Sequence, residues 1–185
     1  MVERGALEKL CLACGTGGSN PSPSVYYFIF MIMKVLVIYD SFFGNTEKIA
    51  KAIASATKAE LLHIDNCAEN SLEGIDYLIV GSPTRAAKPT EKIMTFLKSL
   101  SEDSLNGVNI IAFDTRIDVE KVNSKALKFF AKIFGYAASQ IEKELVKKGG
   151  NKVVEGVGFF VEDKEGPLRE GEEKRAAQWG KSNVK

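Results

Sequence analysis

The chain carries one histidine, His63, one tryptophan and three cysteines in 185 residues. A single histidine excludes every metal centre or catalytic triad that needs two. Cysteines this few and odd in number exclude a dense disulfide framework and point to a reducing compartment, so the expected location is cytoplasmic. Charge of one sign is lacking as well: 25 Lys and Arg against 24 Asp and Glu leave +1. That balance gives no footprint for nucleic acid or an acidic membrane face. A membrane-length apolar run is also missing. Leu10 to Met33 is uncharged but broken by Gly, Ser, Asn and Pro, and its continuous part is too short to span. What remains is 45% hydrophobic and 26% charged, the composition of a globular chain able to bury a core.

Residues 1–32 differ from the rest. Gly15, Gly17, Gly18, Ser19, Asn20, Pro21, Ser22, Pro23 and Ser24 form a turn-rich stretch. An apolar run follows from Val25 into Tyr39, interrupted by Lys34. No basic segment precedes it and no small-residue cleavage site follows, so a signal peptide fits poorly. The expectation is an N-terminal extension, disordered or a mis-called start, ahead of a domain over residues 33–185. Met31 and Met33 are both available as starts.

From Met33 the pattern alternates. Lys34–Tyr39, Ile75–Val80 and Val108–Phe113 are continuous apolar runs of strand length, as in strands covered on both faces. Glu60–Ile64 is a shorter strand and Val153–Val161 a fifth. Helical spacing recurs between them: Ile49, Ala50, Ile53 and Ala54, then Ile93, Phe96, Leu97 and Leu100 behind an N-cap at Thr90. Residues 124–148 read as one helix interrupted at Gly135, and Pro167 opens a last helix toward Trp179. Strands separated by helices predict a parallel sheet in a three-layer α/β/α sandwich. Ligands in such sheets bind at the carboxyl ends of the strands, which singles out the loops after the first, third and fourth.

The first of these is Ser41-Phe42-Phe43-Gly44-Asn45-Thr46. Two hydroxyls, a glycine and the backbone N–H groups of a helix start can enclose a phosphate. The loop has no lysine, which excludes a P-loop, and the dinucleotide glycine pattern is absent. Neutral donors suit one terminal monophosphate. The alternative is a plain strand–helix turn with a capping hydroxyl. At this point the sequence resembles the flavodoxin family. Val37 and Ile38 match its aliphatic pair, Tyr39 its aromatic, Ser41 its hydroxyl, Gly44 its small residue and Thr46 its threonine. Ala50 and Ile53 match the helix positions that follow. The resemblance implies a five-stranded sheet ordered 2-1-3-4-5 and non-covalent FMN. Its phosphate would be held by Ser41, Gly44, Asn45 and Thr46, with Phe42 and Phe43 in the same cofactor loop.

The resemblance also implies that Ser82, Pro83, Thr84, Arg85 and Ala86 pack against the flavin ring, and that Asp114, Thr115 and Arg116 lie by its pyrimidine edge. Family members often place ring-stacking aromatics in these two loops. Here Gly81 to Lys88 has none, and Phe113 is expected to point into the core by strand alternation. Both stacking aromatics are thus expected to be missing. Arg85, Lys88 and Arg116 make the flavin loops basic. Two outcomes stand side by side: a less negative second one-electron couple, if an arginine reaches the flavin, or plain solvation and pairing with Asp114 and Asp118.

Other signals are weaker. Cys11 and Cys14 form an isolated C-x-x-C. Cys67 reads as an ordinary thiol, and His63 as a structural residue on the second strand. Ser41 lacks a base, which argues against hydrolase chemistry. The first functional reading is an FMN-binding electron carrier served by a reductase and an acceptor protein, with no catalytic side chain and no metal. The second is an FMN-dependent NAD(P)H:quinone-type reductase. The third is a flavodoxin-fold binding module without cofactor.

Overall fold

The computed structural model describes residues 33–119 and 135–185. Six strands form one parallel sheet: β1 (Val35–Tyr39), β2 (Glu60–His63), β3 (Tyr77–Pro83), β4 (Asn109–Ile117), β5 (Asn151–Lys152) and β6 (Val157–Val161). The order is β2-β1-β3-β4-β5, and β6 pairs with the same β4 further along. The four described helices are α1 (Asn45–Thr57), α2 (Glu91–Ser99), α3 (Ala137–Lys147) and α4 (Glu172–Asn183).

The continuous apolar strands have the reason expected of them. Leu36 and Ile38 of β1 join a core with Ile93 and Leu97 of α2 and Ile141 and Leu145 of α3. Val35, Val37 and Tyr39 of the same strand face Ile49 and Ile53 of α1 and Ala176 of α4. Alternate residues of one strand therefore serve two cores, and the three layers follow. Gly180 brings α4 close to α1, where a Cβ would lie 3.3 Å from Ile53 and Thr57.

Four expectations need correction. The fifth strand is not continuous over Val153–Val161. Asn109 pairs with Asn151, whereas Phe113 pairs with Val157, so two extra residues are taken up between β5 and β6. The break is held by Glu142 on α3, which accepts the Gly156 N–H at 2.9 Å and pairs with Lys152 at 3.0 Å. Gly156 lies tight against α3, where a Cβ would approach that of Ala138 to 2.9 Å. The last helix starts at Glu172, after Gly171 at φ +83°, not at Pro167. Pro167 instead sits in a return strand-like turn: its carbonyl accepts the Glu162 N–H, and Arg169 donates back to Phe160. Third, α3 begins at Ala137, so Gly135 and Tyr136 lie before a helix start. Fourth, Thr90 precedes α2 as expected, but its side chain makes no cap bond, and Ser82 Oγ accepts the Thr90 N–H at 2.9 Å. The expectations for residues 1–32, for Cys11 and Cys14, and for the helix over residues 124–134 lie outside the described residues.

Candidate functional site

The carboxyl ends of β1, β3, β4 and β6 open onto a cavity of about 560 Å³, within the usual range for a small-molecule site. Its walls include Ser41, Phe42, Phe43, Asn45 and Thr46 after β1, and Pro83, Thr84, Arg85 and Ala86 at and after β3. Thr115 and Arg116 come from β4. Tyr136, Lys164 and Glu165 complete them. Gly44, Ser82 and Asp114 are not wall residues. Each works from behind the walls.

Gly44 adopts φ +78° and sets the entry into α1. It carries no side chain, so the first turn of α1 has no side-chain cap. A plain capped turn is thereby excluded. Ser41 Oγ is buried and has no hydrogen-bond partner among the described residues. A buried hydroxyl without a partner is costly and calls for a ligand or an explanation. An anion at this helix start would satisfy both the hydroxyl and the uncapped N–H groups. The other hydrogen-bonding side chains of the loop are committed. Asn45 Nδ2 donates to the Glu165 carbonyl at 2.9 Å, tying the loop to the segment after β6. Thr46 Oγ1 lies 2.8 Å from Thr115 Oγ1, with both residues buried.

The loop after β3 is a two-residue turn. Arg85 and Lys88 exchange both backbone bonds at 2.9 Å, and the residues between them, Ala86 and Ala87, adopt φ +46° and +61°. Left-handed backbone at two alanines stores strain of about 1–2 kcal/mol each. The turn thrusts Arg85 outward over Phe42, its Cζ 4.6 Å from the ring centroid. Behind it, Thr84 N–H donates to the Thr115 carbonyl at 2.8 Å, and Thr84 Oγ1 accepts from Ala137 at 3.0 Å.

Asp114 is fully buried. One carboxylate oxygen meets Arg116 Nε at 2.6 Å and the other accepts the Ala138 N–H at 2.9 Å. Burial raises the Asp114 carboxyl above its ordinary range, and Arg116 opposes that rise without cancelling it. Arg116 in turn lies against Tyr136, 3.6 Å from the ring centroid. Of the two outcomes weighed for the arginines, pairing with Asp114 is the one adopted by Arg116.

Gly81 to Lys88 and Asp114 to Asp118 carry no aromatic, but aromatics from other segments stand in the cavity wall. Phe113 is indeed core, edge-on to Phe159 at 6.0 Å. It presses so close to Gly81 that a Cβ there would meet its ring at 2.0 Å. Yet Phe42 and Phe43, 55% and 48% exposed, stand in the wall, as does Tyr136. Tyr136 was hidden in the sequence because the apolar periodicity on both sides of Gly135 reads as one helix. Lys164 and Glu165 were missed because their segment reads as the approach to a helix at Pro167. His63 ends β2, and its Nε2 lies 3.5 Å from Asp40 Oδ1. Among the described residues no cluster of three or more His, Cys, Asp or Glu could hold a metal ion, and no helix is long and apolar enough to cross a membrane.

The comparisons agree with this geometry. A family described as a flavodoxin domain matches residues 36–143. An uncharacterised protein of Methanocaldococcus jannaschii is 32% identical over 129 residues, covering 69% of this chain and 73% of that protein. A flavodoxin of Aquifex aeolicus is 27% identical over 165 residues, covering 70% of this chain and 89% of its own. Among solved structures, a flavodoxin from the domain Archaea superposes with a TM-score of 0.65 at 18% identity, covering 82% of this chain and 96% of that one. Flavodoxin 1 of Bacillus cereus gives 0.62 at 20% identity, covering 82% and 97%. With the family's domain matched from β1 into α3 and its strand order reproduced, the chain belongs to the flavodoxin family, whose cofactor is FMN.

Proposed function

We propose that this protein is an FMN-binding electron carrier of low molecular weight, reduced by a partner reductase and oxidised by an acceptor protein, working in the cytoplasm. The observation that carries the reading is the buried, partnerless Ser41 hydroxyl at the uncapped start of α1. It is the donor a terminal phosphate requires. Bound FMN supplies the centre that takes up and gives up electrons. The protein's part is to hold and shape. Ser41 and the first N–H groups of α1 take the phosphate. Asn45, Thr46 and Thr115 fix the loops around it. Pro83 to Ala86, Thr115, Arg116 and Tyr136 line the space for the ring, and Asp114 and Ser82 brace those loops from behind.

A second reading, an FMN-dependent NAD(P)H:quinone-type reductase, is favoured by the mouth of the cavity. Exposed Phe42 and Phe43 stand there under the Arg85 guanidinium, with Lys164 also in the wall, a setting that would receive an anionic aromatic substrate. A binding module without cofactor is disfavoured, since it would leave Ser41 Oγ unsatisfied for no return.

The test is a spectrum of the purified full chain, with FMN added if the protein arrives colourless. Retention of flavin on a desalting column and quenching of FMN fluorescence are expected, with no consumption of NADPH by the holoprotein. Rapid NADPH oxidation would move the assignment to the reductase, and absence of quenching to the binding module.

A further inference from the structure

The chain's one histidine stands beside the loop that would take the phosphate. His63 Nε2 is 3.5 Å from Asp40 Oδ1, and that same oxygen accepts the Ser41 N–H at 2.8 Å. Asp40 is 5% exposed. A carboxylate so buried, one residue before the candidate phosphate ligand, opposes the arrival of a second negative charge. On its other side, His63 Nδ1 accepts the Asp65 N–H at 3.3 Å and lies 3.5 Å from Asp65 Oδ2. Asp65 is held by Lys92 at 2.7 and 2.8 Å. The remaining neighbours are the Tyr39 ring, edge-on at 5.3 Å, and Cys67, whose thiol donates to the His63 carbonyl. Neither carries a charge near neutral pH: burial raises the Tyr39 hydroxyl and pushes the Cys67 thiol up to about 11.

We infer that His63 is a positioning residue for the phosphate loop, making the protein's hold on a phosphate-bearing ligand strengthen as His63 gains a proton. In the neutral ring, Nδ1 is the acceptor and Nε2–H faces Asp40. A proton added at Nδ1 turns that atom toward Asp65 Oδ2 and makes the whole ring a cation between two carboxylates. The charge of Asp40 is then offset where it matters, next to Ser41. The neighbouring charges help only from further off. Lys92 is paired with Asp65 and acts on Asp40 at longer range, and among the described residues no cation other than His63 lies within ion-pair distance of Asp40.

This inference rests on the reading of the β1–α1 loop as a phosphate site, so the experiment separates the two. FMN and riboflavin, which lacks the phosphate, are titrated by fluorescence quenching into the full chain, His63→Gln and Asp40→Asn, from about pH 5.5 to about pH 8.5. Loss of charge by the phosphate itself weakens binding in every variant, and the ratio removes the part they share. The ratio of FMN dissociation constants, His63→Gln over wild type, should rise to about two- to fivefold at the acid end and approach one at the alkaline end, the size of a partly exposed ion pair. Riboflavin should show a flat ratio. Asp40→Asn, where the amide oxygen still accepts the Ser41 N–H, should bind FMN more tightly at the alkaline end. In that background the pH-dependent effect of His63→Gln should be smaller, because the carboxylate that the imidazolium offsets is gone. An FMN ratio flat across the range, or the same pH trend with riboflavin, overturns the role of His63 and leaves the cofactor assignment standing. Failure of the wild type to bind FMN at any pH overturns the cofactor assignment and this inference with it.

Discussion

Thr46 on α1 and Thr115 on β4 share a buried hydroxyl–hydroxyl bond of 2.8 Å across 69 residues of sequence. It joins the start of the first helix to the end of the fourth strand at the cavity wall. Removing one partner leaves the other hydroxyl buried and unsatisfied. Thr46→Val or Thr115→Val should each cost about 1–3 kcal/mol in urea unfolding, and the double variant should cost less than the sum.

Ser41 separates stability from binding. Its hydroxyl has no protein partner, so Ser41→Ala should leave the unfolding midpoint of the cofactor-free protein unchanged or slightly raised. FMN affinity should fall roughly 10- to 100-fold, the worth of a hydrogen bond to a charged group. Riboflavin affinity should stay as it was. Equal losses for both ligands would place the phosphate elsewhere.

The strained turn after β3 predicts the opposite trade. Ala87→Gly relieves a left-handed alanine at φ +61°. The gain, less the added freedom of glycine in the unfolded chain, is about 0.5–1 kcal/mol. The thermal midpoint should rise, by an amount read in a calorimetric scan of the two proteins.

Asp114 gives a pH signature. Its carboxyl is raised by burial above the ordinary value of 3.8, so the folded protein keeps that proton to a higher pH than the unfolded chain does. The stability it lends is present below that ordinary value and is lost as pH rises through the raised folded one. The unfolding free energy of wild type minus that of Asp114→Asn should therefore fall as pH is increased from about 4.

Cys67 should be slow to alkylate. Burial, helped by the Glu60 carboxylate, pushes its thiol up to about 11. At pH 8 the thiolate is about a hundredfold scarcer than for an ordinary cysteine, and higher nucleophilicity recovers about tenfold. Peptide-mapped iodoacetamide labelling should run at least about ten times slower at Cys67 in the native protein than after unfolding.

Where the sequence was legible, the signal was local. A strand buried on both faces, such as Val35–Tyr39, is apolar at every position. The β1–α1 turn carries its hydroxyls and glycine within six residues. The loop after β3 was found, but two alanines give no hint of a left-handed turn. The break between β5 and β6 depends on Glu142, which meets it only once α3 is packed. Pro167 carries a helix-start signal that the backbone bonds of residues 160–169 override. Tyr136 reaches the cavity because α3 starts one residue later, and nothing in the apolar spacing marks that boundary.

Phe113 lies across the bare backbone of Gly81, with no room for even a methyl group between them. One of these residues sits just before the Ser82–Ala86 stretch that leaves β3 and the other just before the Asp114–Arg116 end of β4. A larger residue at 81 is admissible only in a chain that has already given up the ring at 113, and a chain that shrinks 113 first opens a void beneath its own cavity. The two loops can therefore drift in sequence beyond these positions, while their roots are passed on as a matched pair.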